Sequence, residues 1–188
     1  HQVSNNKVYQ EFFKLLGRRP DQISKVEQIP FLPIEFFKSR DIRSSSQQAE
    51  AVFTSSGTTG SVPSRHLVTD LSVYRRSFTL GFEHFYGPPD DYIILALLPS
   101  YLERGGSSLV YMANELIRLS GSDSSGFYLN NIEELASKLD ELDGSGQKVL
   151  LLGVSYALLD LIALKQFSLK NTVVMETGGM KGRRREMV

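Results

Sequence analysis

Eight consecutive residues, Thr54-Ser55-Ser56-Gly57-Thr58-Thr59-Gly60-Ser61, carry six hydroxyl side chains, two glycines and nothing apolar. Glycine lets the backbone approach a ligand closely, and clustered N–H and O–H groups form a concavity suited to phosphate oxygens. A basic pair, Arg65 and His66, follows within reach of such a site. The same composition also suits a flexible Ser/Thr/Gly linker. Its place between the strand-like Ala51-Val52-Phe53 and a well-capped helix favours the phosphate-holding reading. Neither of the two commonest nucleotide motifs is present. Gly57-Thr58-Thr59-Gly60-Ser61-Val62 fails the Walker A spacing and lacks its lysine, and no Gly-x-Gly-x-x-Gly run occurs.

The elements that must position these residues follow from periodicity. Residues 7–16 have the pattern of a short amphipathic helix, stopped by Gly17 and Pro20. The prolines of Ile29-Pro30-Phe31-Leu32-Pro33-Ile34-Glu35-Phe36-Phe37 forbid a regular helix or central strand there. Thr69 or Asp70 caps a helix with Leu71, Tyr74, Phe78, Phe82 and Phe85 on one core-facing stripe, ended by Gly87-Pro88-Pro89. Tyr92–Leu98 is a near-continuous apolar run, as in a strand covered on both faces. A second helix begins near Gly106, and Asn131 with Glu134 makes a capping box for a third. Val149–Leu152 and Thr172–Met175 are further strands. Strands alternating with helices predict an α/β fold, a layered and mostly parallel sheet flanked by helices.

In such sheets ligands gather on loops at the carboxyl ends of strands. Four loops are expected there: the hydroxyl-rich run, residues 99–107, Gly153-Val154-Ser155, and Glu176-Thr177-Gly178-Gly179-Met180-Lys181. All are rich in Gly, Ser or Thr. Their convergence points to one composite site.

Several separated blocks then resemble one family in the same order. Phe53–Gly60, Ser64-Arg65-His66, Leu97–Leu109 and Met175–Arg183 look like the acyl-protein synthetases, or long-chain fatty acid–luciferin component ligases. That family belongs to the adenylate-forming superfamily of acyl-CoA synthetases and peptide-synthetase adenylation domains. The resemblance covers roughly residues 29 to 188.

It implies a two-step reaction: a fatty carboxylate attacks the α-phosphorus of ATP, and the acyl group then passes to a protein nucleophile. Thr54, Ser55, Ser56, Gly57, Thr58, Thr59 and Gly60 would hold ATP phosphates, with Thr177, Gly178, Gly179 and Met180 on the adenine side. Mg²⁺ would bridge the phosphates. Arg65 would offset charge on the leaving pyrophosphate, and His66 is either a catalyst or a structural hydrogen-bonding group. Ser100, Tyr101, Gly105, Gly106 and Ser107 either line the acyl pocket or form a tight strand-to-helix turn. Many superfamily members have Lys where this chain has Ser64-Arg65-His66, and Arg brings a planar fork rather than a point charge. The implied partners are the fatty acid and an acyl-accepting or reductase protein.

Composition bounds the rest. The formal net charge is zero, from 21 basic and 21 acidic side chains, so no overall field draws the chain toward nucleic acid. There is no Cys, which removes disulfides, thiolate metal sites and the family's acyl-accepting cysteine from these residues. Val149–Leu164, the longest apolar stretch, is too short to span a bilayer, so a cytoplasmic protein is the expectation. The chain reads as a single partial N-terminal domain over residues 1–188. The acids that hold Mg²⁺ and ribose, and the small mobile domain, are expected beyond Val188, so turnover by these residues alone is not expected. Two rivals stand beside the ligase reading: a non-catalytic nucleotide- or acyl-binding module, and an aryl-acid or acyl-CoA synthetase relative.

Overall fold

The structure, a computed structural model, describes residues 1–55, 62–98 and 106–178. Two compact units divide it, His1–Val73 and Tyr74–Val188.

The first unit opens with α1 (Gln2–Asn5) and α2 (Lys7–Leu15). Asn6 caps α2, its side-chain oxygen accepting from the Tyr9 amide at 3.1 Å. Gly17, at φ 64°, takes the left-handed conformation that ends the helix. The Tyr9 hydroxyl donates to the Pro30 carbonyl at 2.8 Å and so pins the proline-rich segment onto α2. That segment stays irregular up to one helical turn, α3 (Phe36–Ser39). Two four-residue strands, β1 (Ala51–Thr54) and β2 (Arg65–Val68), pair antiparallel, with Ala51 opposite Val68 and Thr54 opposite Arg65.

The second unit contains most of α4 (Leu71–Tyr86), which begins just before the boundary. Asp70 is its cap: one carboxylate oxygen accepts from the Ser72 amide at 2.9 Å, while the Leu71 amide donates to Glu50 at 2.8 Å. There follow β3 (Ile93–Leu97), α5 (Ser108–Ser120), β4 (Gly126–Tyr128), α6 (Ile132–Gly144), β5 (Val149–Gly153), α7 (Ser155–Leu164) and β6 (Thr172–Glu176). The four strands form a parallel sheet in the order β4-β3-β5-β6. Both β3 and β5 are buried at every residue, which is why their sequences are continuous apolar runs rather than alternations. Ile94 and Leu150 pack with Phe82 of α4 and Leu116 of α5. Leu95 and Leu151 belong to a second cluster with Leu135, Leu139 and Leu142 of α6 and Leu161 of α7. The expected layered α/β fold is what these residues form.

Among the described residues every buried side-chain nitrogen or oxygen has a hydrogen-bond partner. Asp143, near the end of α6, accepts from the Lys170 and Asn171 amides and from the Thr172 hydroxyl, the last at 2.7 Å. These contacts fasten the C-terminal end of α6 to the start of β6 and hold the Asp143 carboxyl below the usual carboxylate range, the Lys170 amide contributing most.

Four details depart from the sequence reading. First, β1 does not join the parallel sheet. Its exposure alternates along four residues, the pattern of a ribbon with one covered face. Second, β4 was not foreseen, because Gly126-Phe127-Tyr128 is too short to show a period. Third, Asn131 does cap α6, but its side chain donates to the Glu134 carboxylate instead of accepting from the helix backbone, so no capping box forms. Fourth, Phe85 is 77% exposed. The core stripe of α4 advances by four residues through Phe78, Phe82 and Tyr86, and Tyr86 occupies the place expected for Phe85.

Candidate functional site

From β3 the chain passes to β4 on one side, and from β5 to β6 on the other. The strand order therefore reverses between β3 and β5, and the crevice outside their carboxyl ends is where open α/β sheets receive ligands. The carboxyl ends of β3, β5 and β6 lie side by side at this edge.

At this edge the loop after β6 is tied to the one after β5. Glu176 pairs with Gly153 in the strand register. The Thr177 amide donates to the Gly153 carbonyl at 3.0 Å, and its hydroxyl reaches the same oxygen at 3.3 Å. The Ser155 hydroxyl and the Gly178 amide both donate to Oε1 of Glu176, the amide at 3.1 Å. Gly178 sits at φ 75°, a conformation that a residue with a Cβ adopts only under strain. Val154, the N-cap residue of α7, supplies no capping side chain. The Glu176 carboxylate, held by Ser155 in the first turn, instead meets the positive end of that helix. Gly153 is needed for a second reason: a Cβ there would lie 2.7 Å from Cγ and Cδ2 of Leu158.

Across the crevice, Gly106 turns the chain at φ 86° and Ser107 caps α5, its hydroxyl accepting from the Val110 amide at 3.3 Å. Gly106 and Ser107 thus make the contacts of a strand-to-helix turn. Ser100, Tyr101 and Gly105 lie outside the described residues, as do Gly179 and Met180.

The hydroxyl-rich run belongs to the first unit. In chain order it comes between β1 and β2, which pair antiparallel, and this corrects the expectation that it joins a strand to a helix. Leu67, Val68 and Thr69 were the signal for β2, masked by the polar residues before them. Thr54 ends β1. Ser55 closes the connection: its amide donates to the Ser64 carbonyl at 3.0 Å and its hydroxyl accepts from the Ser64 amide at 2.9 Å. Ser56, Gly57, Thr58, Thr59 and Gly60 lie outside the described residues.

Successive residues of a strand face opposite ways, so Arg65 and His66 part company. Arg65 pairs with Asp41 at 3.4 Å on an exposed surface. The His66 ring stacks on Phe37 with centroids 4.8 Å apart, and its Nε2 lies 3.1 Å from the Ser64 hydroxyl. Ser64, Ser155 and Glu176 were not singled out as site residues. Each sits at a strand end or within two residues of one, and that position is the signal that could have found them.

Among the described residues no cluster of three or more His, Asp or Glu is placed to hold a metal ion, and no helix is long and apolar enough to cross a membrane. Compared with known proteins, the chain matches no family model, no curated protein and no solved structure.

Proposed function

We propose that this chain is part of an ATP-dependent, AMP-forming acid ligase of the acyl-protein synthetase kind. It would activate a fatty carboxylic acid as an acyl-adenylate and pass the acyl group to a protein nucleophile. The observation that carries the reading is the edge formed by Gly153, Ser155, Glu176, Thr177 and Gly178 at the reversal of a parallel sheet. It offers a nucleotide a glycine-lined approach, hydroxyl groups, one carboxylate and the N-terminus of α7. The family resemblance assigns the adenine side of ATP to this loop, and the hydroxyl-rich run to the phosphates.

Mg²⁺ fits the reading as an ion carried mainly by ATP phosphates, since such ions keep most of their waters and need one or two carboxylates at most. Among the described residues Glu176 offers a carboxylate at this edge. When bound, the ion would neutralise phosphate charge. The residues of this chain would bind and orient the nucleotide.

Carboxylate-dependent exchange of pyrophosphate into ATP tests the proposal on the full-length protein, with acids of increasing length. Exchange confined to fatty acids is the expected result. ATP binding with no exchange for any acid would leave a nucleotide-binding module. The Arg65–Asp41 pair favours that second reading, because it engages the cation assigned to the leaving group. Exchange with aryl acids, or acyl release to coenzyme A alone, would move the assignment to the acyl-CoA synthetase relatives.

A further inference from the structure

We infer that Glu176 is a specificity-determining residue of the sheet edge, whose carboxylate accepts a hydrogen bond from an amino or hydroxyl group on the base or ribose of the nucleotide. This role rests on the nucleotide-binding part of the proposed function and not on its acyl chemistry.

Four donors at the edge are spent inside the protein. The Thr177 amide and hydroxyl both go to the Gly153 carbonyl, at 3.0 and 3.3 Å. The Ser155 hydroxyl and the Gly178 amide both go to Glu176. What these contacts leave for a ligand is an acceptor. Both bonds to Glu176 fall on Oε1, and among the described residues none falls on Oε2. An ionised carboxylate only accepts, so a ligand that meets Oε2 must bring a donor. A phosphate is the wrong partner, because like charges brought together are penalised. The N-terminus of α7 does not reverse that preference, since the Glu176 carboxylate already meets its positive end. An exocyclic amine or a ribose hydroxyl supplies the donor. Glu176 is exposed, so a ligand reaches it without opening the core.

The carboxylate is also held in place. Its backbone is fixed by the pairing of Glu176 with Gly153, and two donors converge on one of its oxygens. Ser155 is therefore a positioning residue. It aims the carboxylate from the first turn of α7, a helix locked into the core by Tyr156, Ala157 and Leu161. An acceptor set in one orientation discriminates well, because an analogue without the donor leaves it unmatched in the complex.

The test is calorimetric binding of four nucleotides to the full-length protein. They are ATP, purine riboside triphosphate, which lacks the amino group, and the two deoxy forms of ATP that lack the 2′ or the 3′ hydroxyl. The parent protein should bind ATP at least about tenfold more tightly than one of the three analogues, and that analogue names the donor. Glu176→Gln keeps an acceptor for Ser155 and Gly178 but puts an amide donor in place of Oε2, so the same preference should shrink to within about twofold. Ser155→Ala should reduce the preference, and Ser155→Thr, which keeps the hydroxyl, should restore it. Melting curves check that the variants fold; if Glu176→Gln does not, Ser155→Ala decides on the same ratio. An unchanged preference in the variant, uniform weakening of all four ligands included, overturns the inference. So does a parent protein that binds all four alike, and failure of Ser155→Thr to restore the preference overturns the positioning role. ATP binding without pyrophosphate exchange would overturn the ligase reading alone, whereas no binding of any nucleotide would overturn both.

Discussion

Along β3 and β5, Ile94, Leu95, Leu150 and Leu152 are 0% exposed, while among the described residues of His1–Val73 only one hydrophobic side chain, Phe13, is buried. There Leu15 and Phe31 are 80% and 82% exposed, and a cavity of about 480 Å³ lies between α2 and the proline-rich segment. One unit is organised by a packed core, the other by point contacts such as Tyr9 to Pro30 and Ser55 to Ser64. The difference teaches where sequence changes will register. In the sheet unit, stability is sensitive to single methylene groups. In the ribbon unit, individual apolar side chains contribute little, and specific polar and stacking contacts set the geometry.

The largest expected effect tests that contrast directly. Leu95→Ala should destabilise the sheet unit by about 2–5 kcal/mol, because it removes a fully buried side chain and leaves a cavity. Leu15→Ala should fall within about 0.5 kcal/mol of the parent protein. Urea unfolding of both variants is the check. Equal losses would mean that the first unit has a core of its own.

Gly153→Ala should come next, at about 1–3 kcal/mol, since its Cβ would press against Leu158 in a packed interior. It also displaces the first turns of α7 relative to β5, at the edge assigned to the nucleotide. ATP affinity, measured by calorimetry, should therefore fall along with the melting temperature. Full ATP affinity in a destabilised variant would separate the edge from the ligand.

The same contrast governs how much could be read beforehand. The sheet unit was legible because β3 and β5 must be apolar at every position and their helices must carry periodic stripes. Three of its strands and three of its four helices follow from that, whereas α7 lies in the apolar stretch Val149–Leu164, which shows no helical stripe. The exceptions are short or local: Gly126–Tyr128 carries no period, and Phe85 missed the stripe by one residue. The ribbon unit was less legible, because β1 and β2 have four residues each and one covered face. Nothing in Ala51-Val52-Phe53 distinguishes a strand of the main sheet from a hairpin arm. Arg65 and His66 look like a pair in sequence, yet strand alternation gives them different partners.

Asp143 offers a pH-dependent test confined to the sheet unit. Its carboxyl is held below the usual carboxylate range in the fold, chiefly by the Lys170 amide and then by the Thr172 hydroxyl. The lowered value means that the unfolded chain takes up the proton first. The contribution is therefore complete above about pH 5 and is lost as pH falls through the folded value. Asp143→Asn should lower the melting temperature by several degrees at neutral pH and flatten its decline in acid. A parallel decline in both proteins would assign the acid sensitivity to other carboxylates.

The smallest effect sharpens the comparison at the site itself. Ser107 has two candidate roles, a lining group for an acyl chain and the cap of α5, and its hydroxyl accepts from the Val110 amide. Losing a serine cap costs about 1 kcal/mol, whereas losing a pocket-lining hydroxyl alters which acids are accepted. Ser107→Ala should therefore lower stability by about that amount and leave the order of preferred acids in pyrophosphate exchange unchanged. A changed order with unaltered stability would place Ser107 in the pocket and make the 3.3 Å contact incidental. The outcome decides whether the loop after β3 contributes side chains to the site or only the turn that aims α5 at it.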